Sequence, residues 1–506
     1  MNRVHSAALL ALLGLAPLAA QQAAPDPAVY RTLVEQAFAA FRPVGLAVAI
    51  VEGGQVVLEI GLGERVAGGG EPVTARTPFN IASCTKAFTA AAVGKLVAAG
   101  RLGWDDPVID HVPEFRLSDP WITRNLTVRD LLCHRSGLRT FAGDLLWYES
   151  DYGDDEVLAR AARLPIERRF REEFGYQNIL YMVAGRVVER VAGVGYADFL
   201  RDAFFAPLGM DGTAVGFEAL PDDPAPAMPH IGGAAIGVVE FRACRPAGAI
   251  WSSVHDMSAW VRMLLAGGRF GDRELLAEEV LAAAWRPHTS MASGRTAAAI
   301  EDFNAYGLGW FVSVQDGKKL VEHDGGMPGF LSKVTLVPAD GFGMVVLNNT
   351  DDGVLNLALR RAVLAERAGG DGAALLTRFA EFGRTRREAA AAEQARREAA
   401  RVGGTSPTLA LDAYAGRYED AILGPAEIVL DEGVLRLRVL PSARALQGAL
   451  RHWHHDVFRV DFPDRFLPFA LLRFTLDVDG AVEGFRIDCP IDDFDFAALD
   501  FRRTGK

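Results

Sequence analysis

Apolar residues form short runs at both ends of residues 30–367, with longer, turn-spaced patterns between them. Two apolar runs in 44–59 flank Gly53-Gly54, the spacing of a β-hairpin. An apolar stretch from Ser83 to about residue 99, closed by Gly100, predicts a helix. Helical spacing broken by Pro and Gly runs through 102–281 and is clearest at 183–192 and 257–265. After Tyr306 short apolar runs return, at 333–338 and 342–347 around the turn Ala339-Asp340-Gly341, and a helix is predicted over 354–366. Strands at both ends of a helical middle predict one sheet built from both ends, with helices packed on it and a helical insertion. The βαβα alternation of a doubly wound sheet is missing, so the pairing is expected to be antiparallel.

The pattern changes at Gly369-Gly370. Residues 385–401 are almost entirely Arg, Glu, Ala and Gln, a polar helix with opposite charges at short spacing that reads as a solvated connector. Gly403-Gly404-Thr405-Ser406-Pro407 is a linker. Beyond Ala413 strand follows strand, at 428–430, 435–439, 457–462, 471–478 and 482–487, with hairpin turns at Asp431-Glu432-Gly433 and Asp479-Gly480. Short strands in such number predict a closed or nearly closed β-barrel. The first residues differ again: Arg3, an apolar stretch from Ala7 to Ala19, then Ala20-Gln21. This is the pattern of a secretory signal peptide cut near Ala20, and it predicts an exported, periplasmic or secreted protein. The expected organisation is a leader (1–20), a first domain (26–367), a helical linker (368–407) and a barrel (408–506).

Composition narrows the function. The chain has 506 residues, half of them hydrophobic and 23% charged, which is globular and long enough for two or three domains. A net charge of −12 argues against nucleic-acid binding, and no later segment reaches membrane-spanning length. Cys84, Cys133, Cys244 and Cys489 show neither paired nor metal-ligand spacing; three of them lie in apolar or motif-adjacent runs and are most simply small buried residues, and a bridge is left open by the sequence.

Ser83-Cys84-Thr85-Lys86 carries the strongest chemical signal. On a helix the lysine lies one turn from the serine, on the same face. A lysine held neutral by burial can take the serine proton. The alternative is an ordinary helix-start serine and an exposed lysine, but Lys86 is an isolated charge in an apolar run. Tyr176-Gln177-Asn178 offers a phenol for proton relay and an amide for a substrate carbonyl or the lysine, although these residues alone read more readily as a helix-capping loop. His323-Asp324-Gly325-Gly326 offers a histidine at a strand edge, glycines against which a substrate backbone can lie, and an N–H to complete an oxyanion hole with that of Ser83. His230-Ile231-Gly232 ranks below it.

In this order and context the three elements resemble the serine β-lactamase-like superfamily, in its class C β-lactamase, D-Ala-D-Ala carboxypeptidase, D-aminopeptidase and esterase branch. Leu131-Leu132-Cys133-His134-Arg135-Ser136-Gly137-Leu138, Pro207-Leu208-Gly209-Met210 and Pro246-Ala247-Gly248 before Trp251-Ser252-Ser253 add to the likeness, which covers about residues 30–367. The resemblance implies a mixed α/β (α+β) fold, Ser83 as acylated nucleophile, Lys86 and Tyr176 as proton-transfer partners, and Asn178, His323, Gly325 and Gly326 as substrate contacts. His323 stands where many β-lactamases carry the lysine of a Lys-Thr-Gly strand, which favours a small peptide or ester over a β-lactam. Neither metal nor cofactor is implied, and homo-oligomers are compatible. Tyr414-Ala415-Gly416-Arg417-Tyr418 and the segment from His452 to Phe458 resemble a lipocalin-like domain, where a barrel-packing role is expected for His452 and His454 rather than a metal site.

Overall fold

The structure is a computed structural model in which residues 25–291 and 303–505 are described. The leader-like segment 1–20 lies outside the described residues. Eight antiparallel strands form the main sheet: β1 (Gly45–Glu52), β2 (Gln55–Gly63), β3 (Thr289–Ser290), β4 (Phe303–Tyr306), β5 (Phe311–Gln315), β6 (Lys318–Met327), β7 (Phe330–Val337) and β8 (Phe342–Asn348). Their order is β3-β4-β5-β6-β7-β8-β1-β2, so the early hairpin closes one side of a sheet otherwise built from the later strands.

Both faces of the central strands are buried, which explains their nearly continuous apolar sequence. Leu46, Val48 and Ile50 of β1 pack with Phe342, Met344 and Val346 of β8 against Tyr30, Leu33 and Val34 of helix Pro27–Phe41 and Leu355 and Leu359 of helix Val354–Arg367. The alternate residues, Ala47, Ala49 and Val51, turn to the opposite face and the larger core of helix Val254–Leu265 and the helical insertion. In that core Phe88 stacks on Trp260 with ring centroids 4.0 Å apart. Helix Thr85–Ala98, which follows Ser83, is buried almost all round and has no solvent face.

Below the candidate site, β6 carries a buried charge cluster. Arg360 Nε donates to Glu322 Oε1 at 2.7 Å, Thr335 Oγ1 donates to the same oxygen at 2.7 Å, and Lys333 Nζ lies 3.8 Å away. Burial alone would raise the Glu322 carboxyl, but Arg360 and Lys333 overcome it and hold the group down at about 2. Its contribution to stability is complete above its unfolded value of 4.5 and is lost as pH falls through about 2. Glu322→Gln removes the buried carboxylate that Arg360, Lys333 and Thr335 converge on and is expected to cost about 3–5 kcal/mol in urea unfolding at pH 7. A variant as stable as wild type at pH 7 would contradict this account.

Helix Gly372–Ala399 begins earlier than the charged run suggests. Its first turns pack on helices Pro27–Phe41 and Val354–Arg367, with Leu376 buried, and its later turns are exposed almost throughout. Beyond it eight antiparallel strands form a closed barrel, the first, Gly416–Asp420, pairing with the last, Phe501–Gly505. Strict alternation is plain in Val434–Val439, where Leu435, Leu437 and Val439 point inward. The His452–His454 region carries a register irregularity, and its rings serve local bonds: His452 Nε2 to the His455 carbonyl, and His454 Nδ1 accepting from the Val402 N–H. The barrel docks on the insertion, where Tyr148 donates to Asp464 at 2.6 Å, Tyr152 to the Leu423 carbonyl at 3.0 Å and Arg160 to the Ile422 carbonyl at 2.9 Å. Among the described residues no helix is long and apolar enough to cross a membrane.

Candidate active site

Ser83 sits in a short 3₁₀ turn, Ala82–Cys84, immediately before helix Thr85–Ala98. The turn is sharp: Ala82 has φ +46°, a conformation held against strain by its neighbours. The Ala82 N–H donates to Asn80 Oδ1 at 2.8 Å, and Ser332 Oγ of β7 donates to the Ile81 carbonyl at 2.6 Å. Cys84 Sγ donates to the His323 carbonyl at 3.3 Å, fastening the turn to β6.

Lys86 has no solvent exposure. Its Nζ lies 3.0 Å from Ser83 Oγ, 2.7 Å from Asn178 Oδ1 and 2.9 Å from the Ala247 carbonyl. It also lies over the rings of Tyr176 and Tyr181, 4.8 and 5.3 Å from their centroids. Burial lowers the lysine to about 7, with Asp144 the main opposing influence. A substantial fraction is therefore neutral near pH 7, the state in which it can accept the serine proton. The Tyr176 phenol is raised by burial, and its interaction with Ser83 acts in the opposite direction. The structure thus brings Ser83, Lys86, Tyr176 and Asn178 together, the first two within one helical turn and the others from the start of helix Ile179–Ala192.

Gly325 meets the nucleophile turn edge-on. A Cβ there would lie 2.1 Å from Ser332 Oγ, 2.3 Å from the Ile81 carbonyl and 3.1 Å from Ser83 N, so only glycine permits this approach. Gly326 is exposed, and a Cβ on it would meet only Leu331 Cδ2, at 3.6 Å, leaving room along the strand for a substrate backbone. Gly325→Ala is expected to displace the turn, slowing acylation about a hundredfold and costing about 1–3 kcal/mol in stability. An unchanged acylation rate would separate β6 from the positioning of Ser83.

His323 differs from its expected place. It lies buried inside β6 rather than at an open strand edge, and is 1% exposed. Its Nδ1 donates to the Asp324 carbonyl at 2.6 Å, so its Nε2 accepts the Tyr306 hydroxyl at 2.8 Å. Burial, with Lys86 adding to it, lowers the imidazole to about 3. Both ring nitrogens are engaged and the ring is neutral, so it supports the aromatic wall rather than presenting a charge. His134 is a second neutral imidazole in that wall, its ring 4.1 Å from Tyr176 and 4.4 Å from Tyr306. His230 accepts the Ala67 N–H at 3.1 Å and serves the loop there.

Sequence reasoning missed three participants. The Ala247 carbonyl is backbone and carries no signal of its own. Tyr306 is recognisable only once the strands pair. Asp144, whose carboxylate accepts the Asn178 amide at 2.6 Å, had a signal: a lone acid before the apolar Leu145-Leu146-Trp147. Among the described residues no cluster of His, Cys, Asp and Glu could hold a metal ion, and all four cysteines are buried and unpaired.

The sheet, the buried lysine beside a serine and the helical insertion define a protein of β-lactamase fold. The Beta-lactamase family model matches residues 31–368, and the chain belongs to that family of serine hydrolases. Residues 400–503, the barrel, match a domain of unknown function (DUF3471). An unguisins hydrolase of Aspergillus campestris is 30% identical over 313 residues, covering 55% of this chain and 53% of the relative. Protein flp of Staphylococcus aureus is 26% identical over 322 residues, covering 60% and 59%. The chain therefore spans less than two thirds of the length of these relatives. Among solved structures, the octameric penicillin-binding protein homologue from Pyrococcus abyssi shares the fold over 94% of this chain and all of that one (TM-score 0.61, 22% identity). The D-amino acid amidase from Ochrobactrum anthropi SV3 shares it over 63% and 92% (TM-score 0.52, 24% identity).

Proposed function

We propose that the protein is a serine hydrolase that cleaves an amide or ester bond of a small amino-acid derivative or peptide through an acyl-enzyme on Ser83. The observation that carries this reading is the buried Lys86 amine 3.0 Å from Ser83 Oγ, with no carboxylate among the described residues in direct contact to keep it charged. Ser83 Oγ attacks the carbonyl carbon while its proton passes to Lys86, with Tyr176 beside both. The N–H groups of Ser83 and Gly326 stabilise the oxyanion, the leaving group departs with a proton, and water releases the acyl group.

Chemistry on β6 supports a neutral substrate. His323 is uncharged, and the exposed acid beside it, Asp324, is paired with Lys333 at 2.7 Å. Among the described residues the His323-Asp324 stretch of β6 offers an anionic lactam no free cation. The likeness to a D-amino acid amidase, described in complex with L-phenylalanine amide, supports amino-acid amides as the first class to test. The leader-like pattern before Gln21 supports action after export, and the octameric homologue supports homo-oligomers as part of the reading.

The test is a panel of D- and L-amino-acid amides, short peptides, short-chain esters and a chromogenic cephalosporin, read by turnover and intact mass. Turnover of amides or esters with a Ser83 acyl adduct is expected. Cephalosporin hydrolysis exceeding that of every amide and ester would overturn the substrate class; a stable adduct without turnover would mark a penicillin-binding protein instead.

A further inference from the structure

Asp144 opens the 3₁₀ turn Asp144–Leu146 and is 3% exposed. Its oxygens are divided between two donors: Oδ2 accepts from Asn178 Nδ2 at 2.6 Å, and Oδ1 from Trp147 Nε1 at 3.0 Å. A buried carboxylate served only by neutral donors is costly, so its presence asks for a role. Asn178 supplies one. An amide presents an acceptor at one end and a donor at the other, and the two ends are nearly the same size. Burial raises the Asp144 carboxyl to about 7 against the pull of the Trp147 and Asn178 hydrogen bonds, and with both oxygens accepting from these donors Asp144 draws the NH₂ end toward itself and leaves Oδ1 to face Lys86 Nζ, at 2.7 Å. A neutral lysine amine has two N–H bonds and one lone pair. With Asn178 Oδ1 and the Ala247 carbonyl taking the N–H bonds, the lone pair is left for the Ser83 hydroxyl.

We infer that Asp144 is a positioning residue: by fixing the orientation of the Asn178 amide it aims the Lys86 lone pair at Ser83. The inference rests on reading Ser83 as nucleophile and Lys86 as its base. It carries a charge signature as well as a geometric one. The other titratable groups around Lys86 are the thiols of Cys84 and Cys244, the phenols of Tyr176 and Tyr181, all raised by burial, and the lowered imidazoles of His134 and His323. Asp144 is the acid among them and the leading influence that raises the lysine. Withdrawing it moves the acid limb of acylation to lower pH.

The experiment follows the rate at which a fluorophosphonate probe labels Ser83 in the full chain, across pH, with folding checked by circular dichroism. Asp144→Asn is isosteric but sets an amide donor against one of the two existing donors. It is expected to slow labelling about thirtyfold and to move the acid limb down by about half a pH unit or more. In an Asn178→Ala background the same substitution is expected to cost less than about threefold, because its target is already gone. Asp144→Ala replaces it in the cycle if the Asn variant does not fold. An equal loss in both backgrounds with an unmoved acid limb overturns the inference alone. A wild-type chain that does not label at Ser83 overturns the reading on which it rests.

Discussion

Ser83→Ala is expected to abolish covalent labelling by serine-directed probes and to lower amide or ester turnover by about ten-thousandfold or more. The size of the loss follows from the lack of a substitute. Cys84 adjoins the serine, but burial pushes its thiol up to about 12 and its sulfur is engaged by the His323 carbonyl and Ser332 Oγ. The Tyr176 phenol is raised as well, so it holds its proton too firmly to attack. Water remains, positioned by the same N–H groups and lysine, and sets the residual rate. The variant is expected to fold normally, because Ser83 is only half-buried and its turn is held by Asn80, Cys84 and Ser332. Intact-mass spectrometry after incubation with probe and with substrate checks the prediction. Labelling of the variant at the wild-type rate would remove Ser83 from the mechanism.

How far the site was legible follows from the range of each interaction. Ser83 and Lys86 sit within one turn, and an unpaired lysine in an apolar run announces itself locally. Asn178 carries no such mark: its partners Lys86 and Asp144 are 92 and 34 residues away, and only the folded insertion brings them to one amide. His323 shows the converse. Its sequence context of Asp and Gly suggests an exposed edge, but β4 and β5 pair beyond β6 and place Tyr306 on its ring. The main sheet was legible because β1, β7 and β8 are apolar on both faces. The barrel was legible as a succession of turns, whereas Gly416–Asp420, Gln447–His454 and Phe501–Gly505 alternate so many polar residues outward that only half of each reads as strand. The connector helix looked wholly solvated because its buried contacts, made by Leu376 and Phe379, precede the charged run.

Lys86→Met is the sharpest test of how the serine is activated. Methionine fills the space without a proton acceptor, and acylation is expected to fall about a thousandfold or more, consistent with loss of a general base. The pH dependence distinguishes this from simple disruption. In wild type the neutral amine is depleted below its value of about 7, so acylation should fall tenfold per pH unit on the acid side and level off above. In the variant that limb should vanish, leaving a low rate set by other groups. Stability supplies an independent check. The lysine is lowered in the folded state from its usual 10.5 to about 7, so between those values the unfolded chain binds more protons and wild-type stability rises with pH. Below about 7 the full penalty of burying the ammonium applies, and methionine is free of it. Against this, the variant leaves Asn178 Oδ1 and the Ala247 carbonyl without their donor, at about 1–3 kcal/mol each. Whatever the net sign at one pH, the stability of wild type relative to Lys86→Met must increase from pH 6 to pH 10. Urea unfolding at both values measures it, and a difference that stays constant or narrows would show that Lys86 is not the titrating base.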